Sequence, residues 1–282
     1  MSAASGSYLT ELADLLFPPE HRQRLLCMLV AAYLDASGKT EDVKLPGTPV
    51  IAIAGYVAPV DAWLRFGKKW RPFLKDFGLT LAHHKDFAAR AGEYAGWPEK
   101  RRHAYVKRGA HIINQTVHHG VAVAVLLKDY AKVTAEYPAE RSAFTFVSLA
   151  ALNLIGRWAR ESKKSEQVAY FFEAGDGHNA ELLQVQHEIL ADPRATDVYR
   201  FKSMTIVPKK DPDSIELQPA DWLAWEAAKY LKDTTLKTED PRAPRHSLLP
   251  LVKPNKLMTL WYSEDKLLKL REARRRGETG RL

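Results

Sequence analysis

The stretch LCMLVAAYL, residues 26–34, is a nearly continuous apolar run that ends in the polar sequence Asp35-Ala36-Ser37-Gly38. Such a run is typical of a β-strand covered on both faces. A polar loop containing Gly and Pro separates it from a second β-rich run, VIAIAGYV, at residues 50–57. Two runs joined in this way predict a hairpin with a long loop.

Beyond the hairpin, helix-type and strand-type patterns alternate. The predicted helices are residues 61–77, 98–117, 140–160, 179–190 and the segment that Pro219 opens. The predicted strands are residues 121–127, 168–173 and 201–207, and LTLAHHKDF at 79–87 is a strand or an extended loop. This order predicts an α/β fold, a sheet with helices on both faces. We expect one domain over residues 26–232, an N-terminal arm at 1–25 and a C-terminal extension with a basic tail at 233–282.

Composition narrows the class of protein. The 282 residues are 46% hydrophobic and 27% charged, which is typical of a globular protein. The apolar runs are shorter than the roughly 20 residues that span a bilayer, so no membrane segment is expected. A single cysteine, Cys27, excludes an internal disulfide and favours a reducing cytoplasm. The sequence is also compatible with a homo-oligomer.

The charge of the chain points to a polyanionic partner. The formal net charge is +8, and the last eighteen residues hold seven Lys or Arg against three Asp or Glu. The predicted helices at 61–77 and 98–117 are also rich in Lys and Arg. Nucleic acid is therefore a plausible partner. The tail itself is either a basic helix that binds a nucleic-acid backbone or a solvated end.

Acidic residues occupy the ends of two predicted strands. Asp35 closes the first apolar run, where a carboxylate is either a turn former or a ligand. Glu173 and Asp176 lie in FFEAGDGHN, directly after the run at 168–172. Asp176 lies between two glycines, so it is either a turn former or a ligand. Glutamate is unfavourable in a strand and gains nothing in a turn, so Glu173 is the stronger ligand candidate. Strand ends at one edge of an α/β sheet are where binding sites usually lie.

Asp221 falls in the first turn of the helix that Pro219 opens, where the helix dipole favours a negative charge. It shares a helix face with small and apolar residues that should pack on the sheet, so we interpret it as a ligand rather than a cap. In HHKDF, His84 and Asp86 are further candidates. Neighbouring residues of a strand point to opposite faces, so His83 and His84 would not both bind one ion without a loop.

Carboxylates gathered in one place repel one another unless cations lie between them, and oxygen ligands select Mg²⁺ or Mn²⁺. Two such ions about 4 Å apart can activate water and stabilise the leaving oxygen of a phosphodiester. The sequence contains no Walker loop, GxGxxG, GxSxG or HExxH motif that would indicate other chemistry.

The ordered motifs YLDASG, HHKDF with GEYAGW, FFEAGDGHN and LQPADWLAWE resemble the bacterial family known as "domain of unknown function 3800". That family is similar to the ribonuclease H-like superfamily. Ala36 stands where the family usually has Glu, and its Gln-x-x-Asp is kept as Gln218 and Asp221. The resemblance implies a mixed sheet with Asp35 on its central first strand, Glu173 or Asp176 on a neighbouring strand, and Asp221 on a late helix.

We therefore expect a nuclease that depends on Mg²⁺ or Mn²⁺. Asp35 would bridge two ions, Glu173 and Asp221 would each complete one coordination sphere, and Asp86 or Asp176 would add a ligand or position the water. One alternative is a nucleic-acid- or partner-binding module in which these acids are structural. Another is a metal-dependent phosphatase that acts on small phosphoesters with the same ligands.

Overall fold

The structure, a computed structural model, describes residues 30–38, 49–117, 119–135, 141–162, 167–173, 177–208, 214–236, 247–251 and 256–277. The predicted arm at 1–25, Cys27 and Asp176 lie outside these ranges, as do the last five residues of the tail.

Six strands form one mixed sheet in the order β5-β4-β1-β2-β3-β6. The strands are β1 (Val30–Ser37), β2 (Val50–Pro59), β3 (His119–Leu126), β4 (Val168–Glu173), β5 (Phe201–Val207) and β6 (Leu257–Tyr262). β2 pairs antiparallel with β1 and β3, and the other pairs are parallel. The predicted hairpin is confirmed by β1 and β2, and β1 lies inside the sheet between β4 and β2.

Nine α-helices are described in these ranges. They are α1 (Val60–Asp76), α2 (His84–Ala89), α3 (Glu99–Thr116), α4 (Leu127–Thr134), α5 (Ala143–Glu161), α6 (Asn179–Ala191), α7 (Pro193–Val198), α8 (Gln218–Leu236) and α9 (Glu264–Arg275). Local chemistry sets several helix starts. The Ser142 side chain accepts a hydrogen bond from the Thr145 N–H at the start of α5, and Asp192 caps α7, which begins with Pro193.

Helices cover both faces of the sheet, as the alternation of patterns predicts. α1, α2, α3 and α8 bury their apolar side chains on one face, with Tyr33 and Phe171 of the sheet. α4, α5, α6, α7 and α9 cover the other face, which includes Leu34 and Phe172. The fold is therefore α/β, a six-stranded mixed sheet between two helical layers. None of the helices in the described ranges is both long enough and apolar enough to cross a membrane.

The structure differs from the sequence prediction in its short elements and in the C-terminal segment. The stretch at 79–87, expected as a strand or extended loop, is a loop followed by α2. Two further helices, α4 and α7, are too short for their periodicity to stand out in the sequence. The segment expected as an extension, 233–282, contributes β6 to the sheet and the helix α9. Leu267 and Leu270 of α9 are buried in the core, so the tail is helical and packed up to Arg275.

Candidate active site

Asp35 and Glu173 occupy neighbouring positions on the adjacent parallel strands β1 and β4. Leu34 of β1 lies opposite Phe172 of β4, so the next positions along the two strands are Asp35 and Glu173. Successive side chains of a strand alternate between faces. Because Leu34 and Phe172 belong to the core under α5, Asp35 and Glu173 belong to the face under α8. Both carboxylates thus lie at the carboxyl ends of their strands on one face of the sheet.

Asp35 is buried, with 7% of its surface exposed, and its Oδ1 accepts a hydrogen bond of 2.7 Å from the Ala36 N–H. The donor is the residue directly after Asp35, and both lie inside β1, where Asp35 is opposite Ala54 of β2. The bond occupies one carboxylate oxygen of Asp35. Asp35 is therefore a strand residue beside Glu173 and not a turn former.

A small cleft lies between β4, β5, the loop before α2 and the start of α8. Its polar lining residues include His83, Glu173, Gln218 and Asp221, and its volume is about 20 Å³. That volume is enough for one water-sized group. The cleft therefore brings together two of the predicted ligands, Glu173 and Asp221, around a space that fits an ion, a water molecule or a single oxygen atom of a ligand.

Asp221 lies in the first turn of α8, as the sequence predicts. Its Oδ2 accepts a hydrogen bond of 2.6 Å from the backbone N–H of His84, the first residue of α2. The N–H groups of a first helical turn have no partner inside their own helix, so the α2 amide is free to bind a carboxylate. This bond fixes the orientation of Asp221 at the edge of the cleft.

The His84 side chain does not face the cleft. Its Nε2 lies 2.9 Å from Oε1 of Glu226, and the two side chains are 2% and 0% exposed. The imidazole stacks on Trp222, with ring centroids 5.2 Å apart and the planes 17° apart. His84 therefore joins α2 to α8 from inside the core. The side chain of His84 is therefore not placed as a ligand at the cleft, and His84 instead positions Asp221 through its backbone amide.

His83 and Asp86 form a pair beside the cleft. Nδ1 of His83 lies 2.8 Å from Oδ2 of Asp86, and the side chains are 21% and 40% exposed. His83 lines the cleft, whereas Asp86 does not. Asp86 is therefore placed to orient the imidazole of His83. The two histidines diverge as expected, although they do so at a helix start rather than in a strand.

Two buried tyrosines, Tyr94 and Tyr105, support the backbone at His83 beside the cleft. The Tyr94 hydroxyl accepts a hydrogen bond of 3.3 Å from the His83 N–H and lies 3.4 Å from the Tyr105 hydroxyl. Burial, together with the negative charges of Asp221 and Glu93, raises the pKa of Tyr94 to about 12. Tyr94 therefore stays protonated at neutral pH, so it adds no negative charge near Asp221.

Gln218 ties the start of α8 to two other elements. Its Oε1 accepts hydrogen bonds from Nε1 of Trp70, at 2.7 Å, and from the Ala82 N–H, at 3.1 Å. Both partners are donors, so the side-chain atom of Gln218 that they contact is the oxygen, and the amide nitrogen Nε2 is directed away from them. Gln218 is 5% exposed, so its orientation is fixed by contacts inside the protein.

The predicted site residues are thus partly gathered. Glu173 and Asp221 share the cleft, Asp35 lies next to Glu173 on the same face, and Asp86 lies behind His83. Within the described part of the chain, no three or more His, Cys, Asp or Glu side chains form a group that could hold a metal ion. Asp176, which completes the predicted set, lies outside the described residues.

Sequence reasoning did not identify three residues at or near this site. Glu226 carried a usable signal, because it is an acid four positions after Trp222 in an otherwise apolar stretch. The sequence favours His84 over His83 as a candidate, and which histidine faces the cleft depends on where α2 begins. Glu216, 4% exposed in the 3-10 turn Ile215–Leu217, gave no sequence signal, since a single Glu near a helix start is ordinary.

No protein-family profile, curated protein or solved structure matches this chain.

Proposed function

We propose that this chain is a nuclease that hydrolyses phosphodiester bonds with Mg²⁺ or Mn²⁺. The observation that carries the proposal is the shared cleft of Glu173 and Asp221, with Asp35 beside Glu173 on the same face of the sheet. Two carboxylates that line one cleft are favourable when a cation lies between them, and hard divalent cations prefer oxygen ligands. The cleft has the volume of one such ion or one water molecule.

The arrangement of the chain supports a ribonuclease H-like fold as part of this proposal. The resemblance implies a central first strand with Asp35, a neighbouring strand with Glu173 and a late helix with Asp221. β1 lies inside the sheet next to β4, and α8 covers the face on which Asp35 and Glu173 lie. These are the placements expected for such a fold.

The residues that would hold the metal are Glu173 and Asp221, with Asp35 and Asp176 as the further ligands. A divalent cation bound there would polarise a phosphoryl oxygen and lower the pKa of a bound water molecule. The chain's own residues provide the rest of the site. His84 orients Asp221 through its backbone amide, and the pair of His83 and Asp86 places an imidazole held by a carboxylate beside the cleft.

Nucleic acid is the proposed partner. α1 and α3 lie side by side, joined by bonds of 2.7 Å from Lys69 to Gln115 and from Arg108 to Asp76. We call their exposed cations the basic face, which consists of Arg65, Lys68, Lys69, Arg71, Lys75, Lys100, Arg101, Lys107 and Arg108. These helices cover the same face of the sheet as α8. A phosphate backbone that binds Lys and Arg here would release counterions, which makes the binding sensitive to salt.

The single cysteine fits the reducing cytoplasm that we propose as the location.

The test is a cleavage panel of single-stranded, double-stranded and hybrid DNA and RNA, each with Mg²⁺, Mn²⁺ or EDTA. Nucleotides and phosphomonoesters in the same panel separate a nuclease from a phosphatase. Asp221→Asn and Asp35→Asn should lower the rate by more than the roughly 10- to 100-fold typical of losing an outer partner of a metal ligand. Asp265→Asn, on the exposed side of α9, is the matched control and should keep the wild-type rate. Cleavage in EDTA, or cleavage that survives both substitutions, would overturn the proposal.

A non-catalytic binding module is the second candidate. It is favoured by the observation that the described residues contain no group of three metal-ligating side chains. The module predicts salt-sensitive binding of oligonucleotides in EDTA and no turnover after Mn²⁺ is added. The nuclease predicts turnover under the second condition, so one substrate panel separates the two.

A further inference from the structure

The Gln218 side chain presents a buried hydrogen-bond donor without a partner among the residues that the structure describes. Its Oε1 accepts from the Trp70 indole and from the Ala82 N–H, but its Nε2 is buried and makes no hydrogen bond. An amide N–H that loses water without gaining a partner is energetically unfavourable. A donor retained at the wall of a cleft is satisfied by an oxygen atom that enters the cleft, from a water molecule in the free protein or from a ligand.

The surroundings of this donor restrict what the ligand is. Gln218 lines the cleft together with His83, Glu173 and Asp221. The two carboxylates accept hydrogen bonds and disfavour an anion unless a cation is also present. The cleft has room for one water-sized group, so only a single atom of a larger ligand fits inside it.

We infer that Gln218 donates a hydrogen bond to one non-bridging oxygen of a substrate phosphodiester. This assignment rests on the proposed function and names a binding residue for its substrate. A neutral amide suits the position because it binds an anionic oxygen without adding a positive charge that would compete with a cation for Glu173 and Asp221. The bonds from Trp70 and Ala82 hold the amide in the donating orientation before the substrate arrives, which lowers the entropy cost of binding.

The first experiment observes this donor directly in the wild-type protein. Protein labelled with ¹⁵N-glutamine is titrated with dimethyl phosphate in the presence of Mg²⁺, and the side-chain amide signals are followed by NMR. Gln218→Glu identifies the Gln218 signals by their absence, and Gln218→Met serves the same purpose if the first variant does not fold. The expected result is a saturable shift of the Gln218 signals alone. Unmoved Gln218 signals would overturn the inference.

The second experiment uses the isosteric change Gln218→Glu in the cleavage assay. The new carboxylate still accepts from Trp70 and Ala82, but it presents an acceptor where the amide presented a donor. We expect the KM for the diester to rise at least about tenfold, with a smaller change in kcat. Gln184→Glu is the matched control, since Gln184 is exposed on α6 in the opposite helical layer, and it should leave both constants unchanged.

The two experiments keep this inference separate from the proposed function. A Gln218 signal that shifts in a protein without cleavage activity would retain the phosphate contact and overturn the nuclease. Active cleavage with unmoved Gln218 signals and a wild-type KM in Gln218→Glu would retain the nuclease and overturn the contact.

Discussion

The backbone N–H of His84 donates a hydrogen bond of 2.6 Å to Oδ2 of Asp221, although the two residues are 137 positions apart. Nε2 of the His84 side chain lies 2.9 Å from Oε1 of Glu226, which follows Asp221 by five residues on α8. The helix α8 thus carries both Asp221, at the cleft, and Glu226, which holds the His84 residue that donates to Asp221. The position of Asp221 therefore depends on a buried pair that does not reach the cleft.

Loss of this buried pair should destabilise the fold. His84→Ala leaves Glu226 without its histidine partner in the core and should lower the free energy of unfolding by about 1 to 3 kcal/mol. Glu226→Gln keeps the shape of the side chain and should cost less. Urea denaturation measures both. Asp265→Asn, which removes an exposed ion pair with Lys269 on α9, is the control and should change little. Equal stability of His84→Ala and wild type would show that the pair does not hold α2 to α8.

The basic face should determine how binding of nucleic acid depends on salt. Arg71→Gln should weaken binding of an oligonucleotide and reduce the slope of log K against log salt by roughly one, because one phosphate contact is lost. Arg194→Gln removes the same charge from α7, on the opposite helical layer, and should leave the slope unchanged. Fluorescence anisotropy over a series of salt concentrations measures the slope. The same loss of slope in both variants would contradict a specific role for α1 and α3.

Glu181 should make stability depend on pH. Burial alone would raise its pKa, but hydrogen bonds with Ser142, Thr145 and His178 outweigh burial and lower it. A carboxyl whose pKa is lower in the folded state than in the unfolded state stabilises the fold at pH values above its usual pKa. This contribution is lost as the pH falls through the pKa of the folded state. Glu181→Gln should therefore be less stable than wild type near neutral pH.

The difference between Glu181→Gln and wild type should shrink below about pH 4, where the wild-type carboxyl also becomes protonated. Thermal unfolding over this pH range measures it. Glu188→Gln, on the same helix at an exposed ion pair with Arg141, is the control and should show a small difference throughout. A constant difference for Glu181→Gln across the range would contradict the assigned cause.

The sequence predicts the architecture well where its patterns are long. The apolar runs of β1, β2 and β4 and the periodicity of α1, α3, α5 and α8 identify these elements, because burial requires repeated apolar residues. β6 was missed because LMTLWY follows a Pro- and charge-rich segment that suggested a peripheral extension. The six residues of α2 are too few to show a period, and no side chain caps the start of this helix, although His84 and Phe87 are buried.

The candidate site is only partly predictable for the same reason. Strand ends and a first helical turn identify Glu173 and Asp221, since these positions follow from local patterns. The contacts that position them do not follow, because each joins residues distant in the sequence. Trp70 binds Gln218 across 148 positions and His84 binds Glu226 across 142. Single-sequence patterns describe neighbours within a few residues, so such pairs become visible only in the folded chain.

The central claim is that the cleft of Glu173 and Asp221 binds a divalent metal ion. Isothermal titration of Mn²⁺ into wild type, Asp221→Asn and Asp265→Asn tests it most directly, with circular dichroism to show that each variant is folded. The account predicts saturable binding to wild type and Asp265→Asn, and at least about tenfold weaker binding to Asp221→Asn. The absence of saturable binding to wild type, or equal affinity in wild type and Asp221→Asn, would contradict the claim.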